Sequence, residues 1–505
     1  MSPFQRLCHL ALSLLVLGSA AVARATDSYQ TATQTLSIPY VVLGSDVYTN
    51  VVVRLGSVLA LGGGPPYGTC DRYVPATNQL TIPSVQVNGT TYTNVLITVD
   101  LSVLQVGGRI PGAASSTCYT PARNVLPLVV DQGPAGLSSI ATNEPFVSVT
   151  VCSPGSTSAC QTIDHVLVDT GSVGLRLISS VLTSSGLLAA LPQALAPSGY
   201  PLAECVAFAS NSSWGSVRIA DVQLAGETAS ALPIQVIGDP APEFSQIPAG
   251  CSGNALMEDT VATFGANGVL GIQPFLQDCG SACSDITLSS YWMYWICPGG
   301  VCQVTPVTPD RQLSNPVAML SPGNDNNGVV LTLPSVAATG SASVTGTLTL
   351  GIATAANNSL GSATLFDLDA STGNFTTVFG GQSYFDAAFV DSGSNALYFA
   401  DGFLSPCSNN GLAAGFYCPP GTVTLSALNQ GYSNGNTNTV AFSVANAEGL
   451  FTGAPNATAF DNLAGSPIQG YFDWGLPFFF GRSVFMAFEQ RYTPAGGGPY
   501  LAYSP

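Results

Sequence analysis

The sequence predicts a mainly β protein, with a small module of β-hairpins followed by a body of two lobes. Three observations point there. The chain of 505 residues holds 54 Gly and 35 Pro but only 8% charged residues, which suits strands joined by tight loops better than solvated helices. A degenerate repeat near the N-terminus alternates apolar and polar residues at period two. An apolar strand ending in an aspartate turn near residue 169 recurs near residue 391.

Taken in order, residues 1–25 read as a secretory signal peptide. Arg6 precedes an apolar run from Leu10 to Val22, and Ala23-Arg24-Ala25 forms a small-residue cleavage site before Thr26. That run is short for a bilayer, and no later segment offers about 18 uninterrupted apolar residues, so no membrane anchor is expected. The expected location is secreted or periplasmic. With Cys8 removed, 13 − 1 = 12 cysteines remain, an even number suited to disulfides in an oxidising compartment. Neighbours in sequence suggest Cys152 with Cys160, Cys279 with Cys283, Cys297 with Cys302, Cys407 with Cys418, Cys70 with Cys118 and Cys205 with Cys251, although spacing alone does not determine connectivity.

Residues 26–140 are expected to form the hairpin module. Leu36-Ser37-Ile38-Pro39 through Tyr48-Thr49-Asn50-Val51 recurs 44 residues later as Leu80-Thr81-Ile82-Pro83 through Tyr92-Thr93-Asn94-Val95, around turns at Gly44-Ser45 and Asn88-Gly89. Two lobes are then expected at 141–330 and 331–505, with the Gly- and Asn-rich stretch Pro322 to Gly328 as the boundary. The most helical segment is short, Ile178 to Leu191. The loop Asp367 to Gly373 reads as a hairpin turn rather than a calcium loop.

The formal charge of −17, with no lysine at all, disfavours nucleic acid and anionic membranes as partners. A single histidine beyond the signal, His165, leaves little for a metal site or a Ser-His-Asp triad, and no G-x-S-x-G elbow is present. Any chemistry therefore falls to carboxylates, with no metal and no cofactor. Asp169-Thr170-Gly171-Ser172 follows Val166-Leu167-Val168, and Asp391-Ser392-Gly393-Ser394 follows Ala387-Ala388-Phe389-Val390. Glycine permits a sharp turn that aims amide N–H groups at the carboxylate, and the hydroxyls can hold its orientation. Two carboxyls about 3 Å apart cannot both ionise cheaply, so such a pair supplies an acid and a base together. His165, four residues before Asp169, falls on the same strand face and is read as a packed, hydrogen-bonded residue rather than a modulator of that pair.

These residues resemble the pepsin-like aspartic peptidases, and in particular exported bacterial members of that group. The resemblance covers about residues 144 to 505 and implies a bilobal pepsin-like β-barrel fold, each lobe giving one Asp-Thr/Ser-Gly turn and a later apolar-apolar-Gly strand beneath it. Gly268-Val269-Leu270-Gly271-Ile272 matches that strand in the first lobe. Phe478-Phe479-Phe480-Gly481 matches it in the second, with Tyr500-Leu501-Ala502-Tyr503 as the closing strand and Arg482 where the family commonly has Asp. By the resemblance Asp169 and Asp391 are catalytic, Thr170 and Ser392 interlock the lobes, and Ser172 and Ser394 bond the outer carboxylate oxygens. The family's flap carries a Tyr-Gly, for which the hairpin Val206 to Leu224 offers Phe208, Trp214 and Gly215. Arg176 stands where a flap-supporting Trp is usual. The implied protein is a monomeric aspartic endopeptidase acting on polypeptides. A catalytically silent pepsin-like binding protein of the cell envelope is the alternative, and a carboxylate-pair glycosidase is disfavoured by the matched D-[ST]-G-S turns.

Overall fold

The structure, a computed structural model, describes residues 27–504 apart from 31–34, 44–45, 55–70, 75, 88–89, 99–103, 106–107, 111–123, 138, 209–210, 253–255, 288–292, 321–324 and 468–469. The expected signal peptide, both hairpin turns, and Cys70 with Cys118 lie outside the described residues. Strands take 45% of the structure and helices 11%, so the fold is mainly β, as predicted.

The period-two repeat becomes two antiparallel hairpins. Thr35–Leu43 pairs with Asp46–Arg54, setting Leu36 against Val53, and Gln79–Val87 pairs with Thr90–Thr98, setting Leu80 against Ile97. Alternation sends one face of each hairpin inward, so Leu36, Ile38, Val51, Val53, Leu80, Ile82 and Val95 share one buried cluster. The strand Asp27–Gln30 joins the hairpins by pairing antiparallel to the first and parallel to the second.

Val125–Val130, which the sequence reading assigned to this module, belongs to the body. It pairs with Val344–Leu350 of the second lobe on one edge and with the start of Pro145–Cys152 of the first on the other. Leu126, Leu128 and Val130 are buried in the main core, as expected of a strand with a neighbour on each side. The expected helix is two short ones, Ser179–Thr183 and Leu187–Ala190, separated at Gly186 by its positive φ of 78°. The loop after Thr364–Asp367 is a turn closed by Asp369 Oδ1, which accepts from the backbone N–H groups of Ser371 and Thr372. Among the described residues five disulfides join Cys152 to Cys160, Cys205 to Cys251, Cys279 to Cys283, Cys297 to Cys302 and Cys407 to Cys418, as nearest-neighbour pairing anticipates. Among the described residues no helix is long and apolar enough to cross a membrane.

Each lobe repeats one local arrangement that positions the site. In the first, the aspartate strand Cys160–Asp169 runs parallel to a floor strand, Gly268–Ile272, with Asp169 opposite Gly271, and the floor strand pairs antiparallel with the following Val173–Ile178. In the second, Gln382–Val390 runs parallel to Phe472–Trp474, which pairs antiparallel with Leu397–Tyr398. Val390 faces Trp474, so Gly475 takes the place of Gly271. A Cβ on Gly475 would stand 2.1 Å from the Ala396 carbonyl oxygen, which is why glycine is needed there.

The floor strand is therefore Phe472-Asp473-Trp474-Gly475, not Phe478-Phe479-Phe480-Gly481. Leu476–Phe478 is a 3-10 turn, and Arg482–Ala487 pairs with Gly328–Leu333 and with the closing strand Tyr500–Tyr503. Three consecutive phenylalanines imitate a buried strand, whereas an aspartate interrupts the apolar pattern of the true one. Arg482 consequently does not follow the site glycine. Its guanidinium donates to the Phe478 carbonyl at 2.7 Å and lies 4.9 Å from that residue's ring centroid.

Candidate active site

The two aspartate turns meet between the lobes, and the hydrogen bonds of one are those of the other. Gly171 N–H and Ser172 Oγ–H donate to Asp169 Oδ1 and Oδ2 at 2.7 and 2.5 Å. Gly393 N–H and Ser394 Oγ–H donate to Asp391 Oδ1 and Oδ2 at 2.8 and 2.9 Å. Each glycine also lies against the opposite acid: a Cβ on Gly171 would be 2.8 Å from Asp391 Oδ1, and one on Gly393 would be 2.8 Å from Asp169 Oδ1. Only hydrogen fits in either place, so the turns can close until the carboxyls adjoin.

Thr170 and Ser392 interlock across the lobes. Thr170 Oγ1 donates to the Val390 carbonyl at 3.0 Å and accepts from Ser392 N–H at 2.9 Å. Ser392 Oγ donates to the Val168 carbonyl at 2.7 Å and accepts from Thr170 N–H at 3.1 Å. Both side chains are buried, so each bond satisfies a group that water cannot reach.

Burial, then the Asp169 carboxylate, then that of Asp473, push Asp391 well above the usual carboxylate range. The pair thus retains a proton where a free carboxyl would have lost it. Such a pair can take a proton from an attacking water and supply one to a carbonyl oxygen. It opens on a cleft of about 410 Å³, walled by Phe375, Phe389 and Tyr471 from the second lobe and by Val206, Ala207 and Phe208 from the first.

The hairpin expected to serve as a flap is formed by Leu202–Ala207 and Asn211–Leu224. Of its three candidates only Phe208 reaches the cleft. Trp214 is turned away, buried with its Nε1–H donating to the Phe244 carbonyl at 2.8 Å. Gly215 serves the close approach of the neighbouring strand, since a Cβ there would be 1.8 Å from the Val236 carbonyl oxygen. Below the flap lies a buried cluster that the sequence reading did not foresee. Arg176 makes a bidentate pair with Glu204 of the flap strand at 3.2 and 2.7 Å, and a longer contact with Asp278 at 3.4 Å. Tyr294 donates its hydroxyl to Asp278. With one cation for two carboxyls, burial and the nearby Glu204 push Asp278 well above its ordinary range.

His165 is packed and hydrogen-bonded as expected, its ring edge-on to that of Phe146. Its φ of 47° breaks the strand alternation, and its ring lies between Asp164 at 3.0 Å and Asp131 at 3.3 Å. Burial opposes its charge, but those two acids prevail and raise it to about 10. The acid that sequence reasoning missed near the pair is Asp473, on the second floor strand. The available signal was an acid two residues before a glycine in the otherwise apolar run Tyr471-Phe472-Asp473-Trp474-Gly475.

Among curated proteins no match is found. A solved crystal structure of an aspartic proteinase from Irpex lacteus is similar to this chain over 75% of its length and 96% of that protein's, at 15% identity and a TM-score of 0.40. The family described as protein of unknown function DUF3443 matches residues 120–503, well over half of the sequence, and the chain belongs to that family.

Proposed function

We propose that this chain is an exported aspartic-type endopeptidase whose catalytic residues are Asp169 and Asp391. The observation that carries the reading is the apposition of two matched Asp-hydroxyl-Gly-Ser turns, each with its glycine against the other's aspartate. The ionised carboxylate takes a proton from water as the water attacks a peptide carbonyl, and the protonated partner stabilises the developing oxygen and then serves the leaving nitrogen. Thr170 and Ser392 hold the lobes in register, while Ser172 and Ser394 keep the outer oxygens fixed. The cleft's apolar walls suit an extended polypeptide with apolar side chains. Export rests on the signal-like residues 1–25 and is supported by five disulfides, which persist outside the cytosol.

A second reading, a silent binding protein, has one observation in its favour: Phe208 reaches the cleft from the flap and brings no hydroxyl there. The deciding experiment is cleavage of a denatured protein from pH 3 to 7 by wild type, Asp169→Asn and Asp391→Asn. The expected outcome is acid-side cleavage that falls by about a thousand-fold or more in either variant. Folded but inert wild-type protein sinks the peptidase reading and turns attention to a ligand of the cleft.

A further inference from the structure

The two floor strands differ at one telling position. In the first lobe Leu167 is paired with Val269, while in the second Phe389, which stands in the same place relative to its aspartate, is paired with Asp473. The Asp473 carboxyl is fully buried, and neither of its oxygens has a hydrogen-bond partner. The strand is tied to the second aspartate turn on both sides of it: Asp391 N–H donates to the Trp474 carbonyl at 3.1 Å, and Leu476 N–H donates to the Ser394 carbonyl at 2.8 Å.

The titratable groups facing Asp473 among the described residues are Asp169 and Asp391 from the two turns and Tyr398 from Leu397–Tyr398. The Tyr398 hydroxyl is committed to Asn395 Oδ1 at 2.6 Å. The Ser394 hydroxyl also lies beside Asp473, and it donates to Asp391 Oδ2. A hydroxyl has one proton to give. A protonated Asp473 is itself a donor and leaves the Ser394 proton on Asp391. An ionised Asp473 is only an acceptor, and it competes with Asp391 for that proton. Burial, opposed by the Ser394 hydroxyl and reinforced by Asp169, pushes Asp473 well above the usual carboxylate range and favours its protonated form.

We propose that Asp473 is a positioning residue of the carboxylate pair: with its proton it leaves Ser394 on Asp391, and without its proton it draws Ser394 away. The catalytic consequence rests on the peptidase reading, and it is that loss of the Asp473 proton sets the upper pH limit of cleavage. The three carboxyls titrate as a group, so that limit is a property of the group. An amide at 473 cannot ionise and keeps Ser394 where it is.

Cleavage by Asp473→Asn is expected to persist about one pH unit further into the alkaline range than cleavage by wild type, and the same substitution in a Ser394→Ala background is expected to move nothing. A limit that moves down overturns the proposal, because it marks a third charge that merely retains a proton on the pair. An unmoved limit overturns it as well, because it marks packing alone. Asp473→Val, which copies Val269 of the first lobe, gives the same upward shift and serves if the amide variant does not fold.

A second readout needs no turnover: NMR titration of isotope-labelled aspartate carboxyls in the whole protein. A resonance titrating above the usual range is expected, absent from Asp473→Asn, with the Asp391 resonance responding at its midpoint. Wild-type protein that cleaves nothing yet shows this titration loses the peptidase reading and keeps the positioning role. Absence of the resonance sinks the positioning role even in an active enzyme.

Discussion

Asp169 and Asp391 end their strands alike, each holding its own glycine N–H and serine hydroxyl and each pressed by the other's glycine, but what stands behind them differs. Behind the first are Val269 and Leu270, with Arg176 seven residues on (176 − 169 = 7) paired to the flap strand through Glu204. Behind the second are Asp473 and Trp474, with Tyr398 seven residues on (398 − 391 = 7) and a nest of rings in which Phe399 stacks on Phe472 at 5.1 Å and Phe472 meets Trp474 at 4.6 Å. The front of each turn is built within four residues and admits few substitutions. The back is built by strands distant in sequence, so the lobes are free to diverge there. One lobe places its buried ionisable groups beneath the hairpin Leu202–Leu224, the other places one against the carboxylate pair.

The largest effect expected from this asymmetry is at Arg176. Arg176→Met leaves Glu204 and Asp278 buried together without their cation, and loss of one partner from such a cluster costs about 3–5 kcal/mol. Tyr398→Phe, at the corresponding place in the second lobe, loses one hydrogen bond and costs about 1 kcal/mol. Denaturant unfolding of both variants checks the contrast, and equal losses would break it.

Next come the floor glycines. Gly475→Ala drives a methyl into the Ala396 and Ser394 carbonyls, at 2.1 and 2.6 Å, and backbone on both sides cannot yield cheaply. Gly271→Ala meets the Ser172 carbonyl and hydroxyl at 2.8 Å, a wider approach than either carbonyl leaves at Gly475. About 3 kcal/mol is expected for Gly475→Ala and about half that for Gly271→Ala, read as shifts in unfolding midpoint. The reverse order would show that the second floor strand is the more yielding one.

The legibility of these features in the sequence follows the same division between front and back. Asp169-Thr170-Gly171-Ser172 and its partner were readable because the carboxylate, its donors and the turn are contiguous, so the motif carries its own geometry. The hairpins were readable for the same reason, since period-two alternation and a turn are local. The second floor strand was not, because it is recognised only by parallel pairing with a strand some 80 residues earlier (472 − 388 = 84), while Phe478-Phe479-Phe480 offered a stronger apolar signal nearby. Val125–Val130 was misplaced because its partner in the second lobe lies 214 residues on (344 − 130 = 214). Arg176 was seen as a departure from a tryptophan, but its partner Glu204 has no sequence signature.

The interlock tests the symmetry of the front. Thr170→Val and Ser392→Ala each remove a hydroxyl that makes two buried hydrogen bonds, and each is expected to cost about 2 kcal/mol. Because the hydroxyls serve each other's backbone, the double variant is expected to lose less than the sum. A double-mutant cycle showing strict additivity would mean that the turns are held independently.

The smallest expected effect lies further up the strands, where each aspartate strand is bent by a residue of positive φ, His165 at 47° and Asp386 at 48°. Asp386 is steadied by neutral groups, among them the Thr372 hydroxyl at 2.9 Å, whereas His165 is held by two acids. The folded state raises His165 from 6.5 to about 10, so its contribution is fully present below pH 6.5 and is lost as pH rises through about 10. Asp164 is half exposed, which screens the attraction, and the contribution is about 1 kcal/mol. His165→Gln is therefore expected to be less stable than wild type at pH 5 by that amount and equal to it above pH 10. Unfolding curves across that range would show whether the first bend carries a pH-dependent clamp.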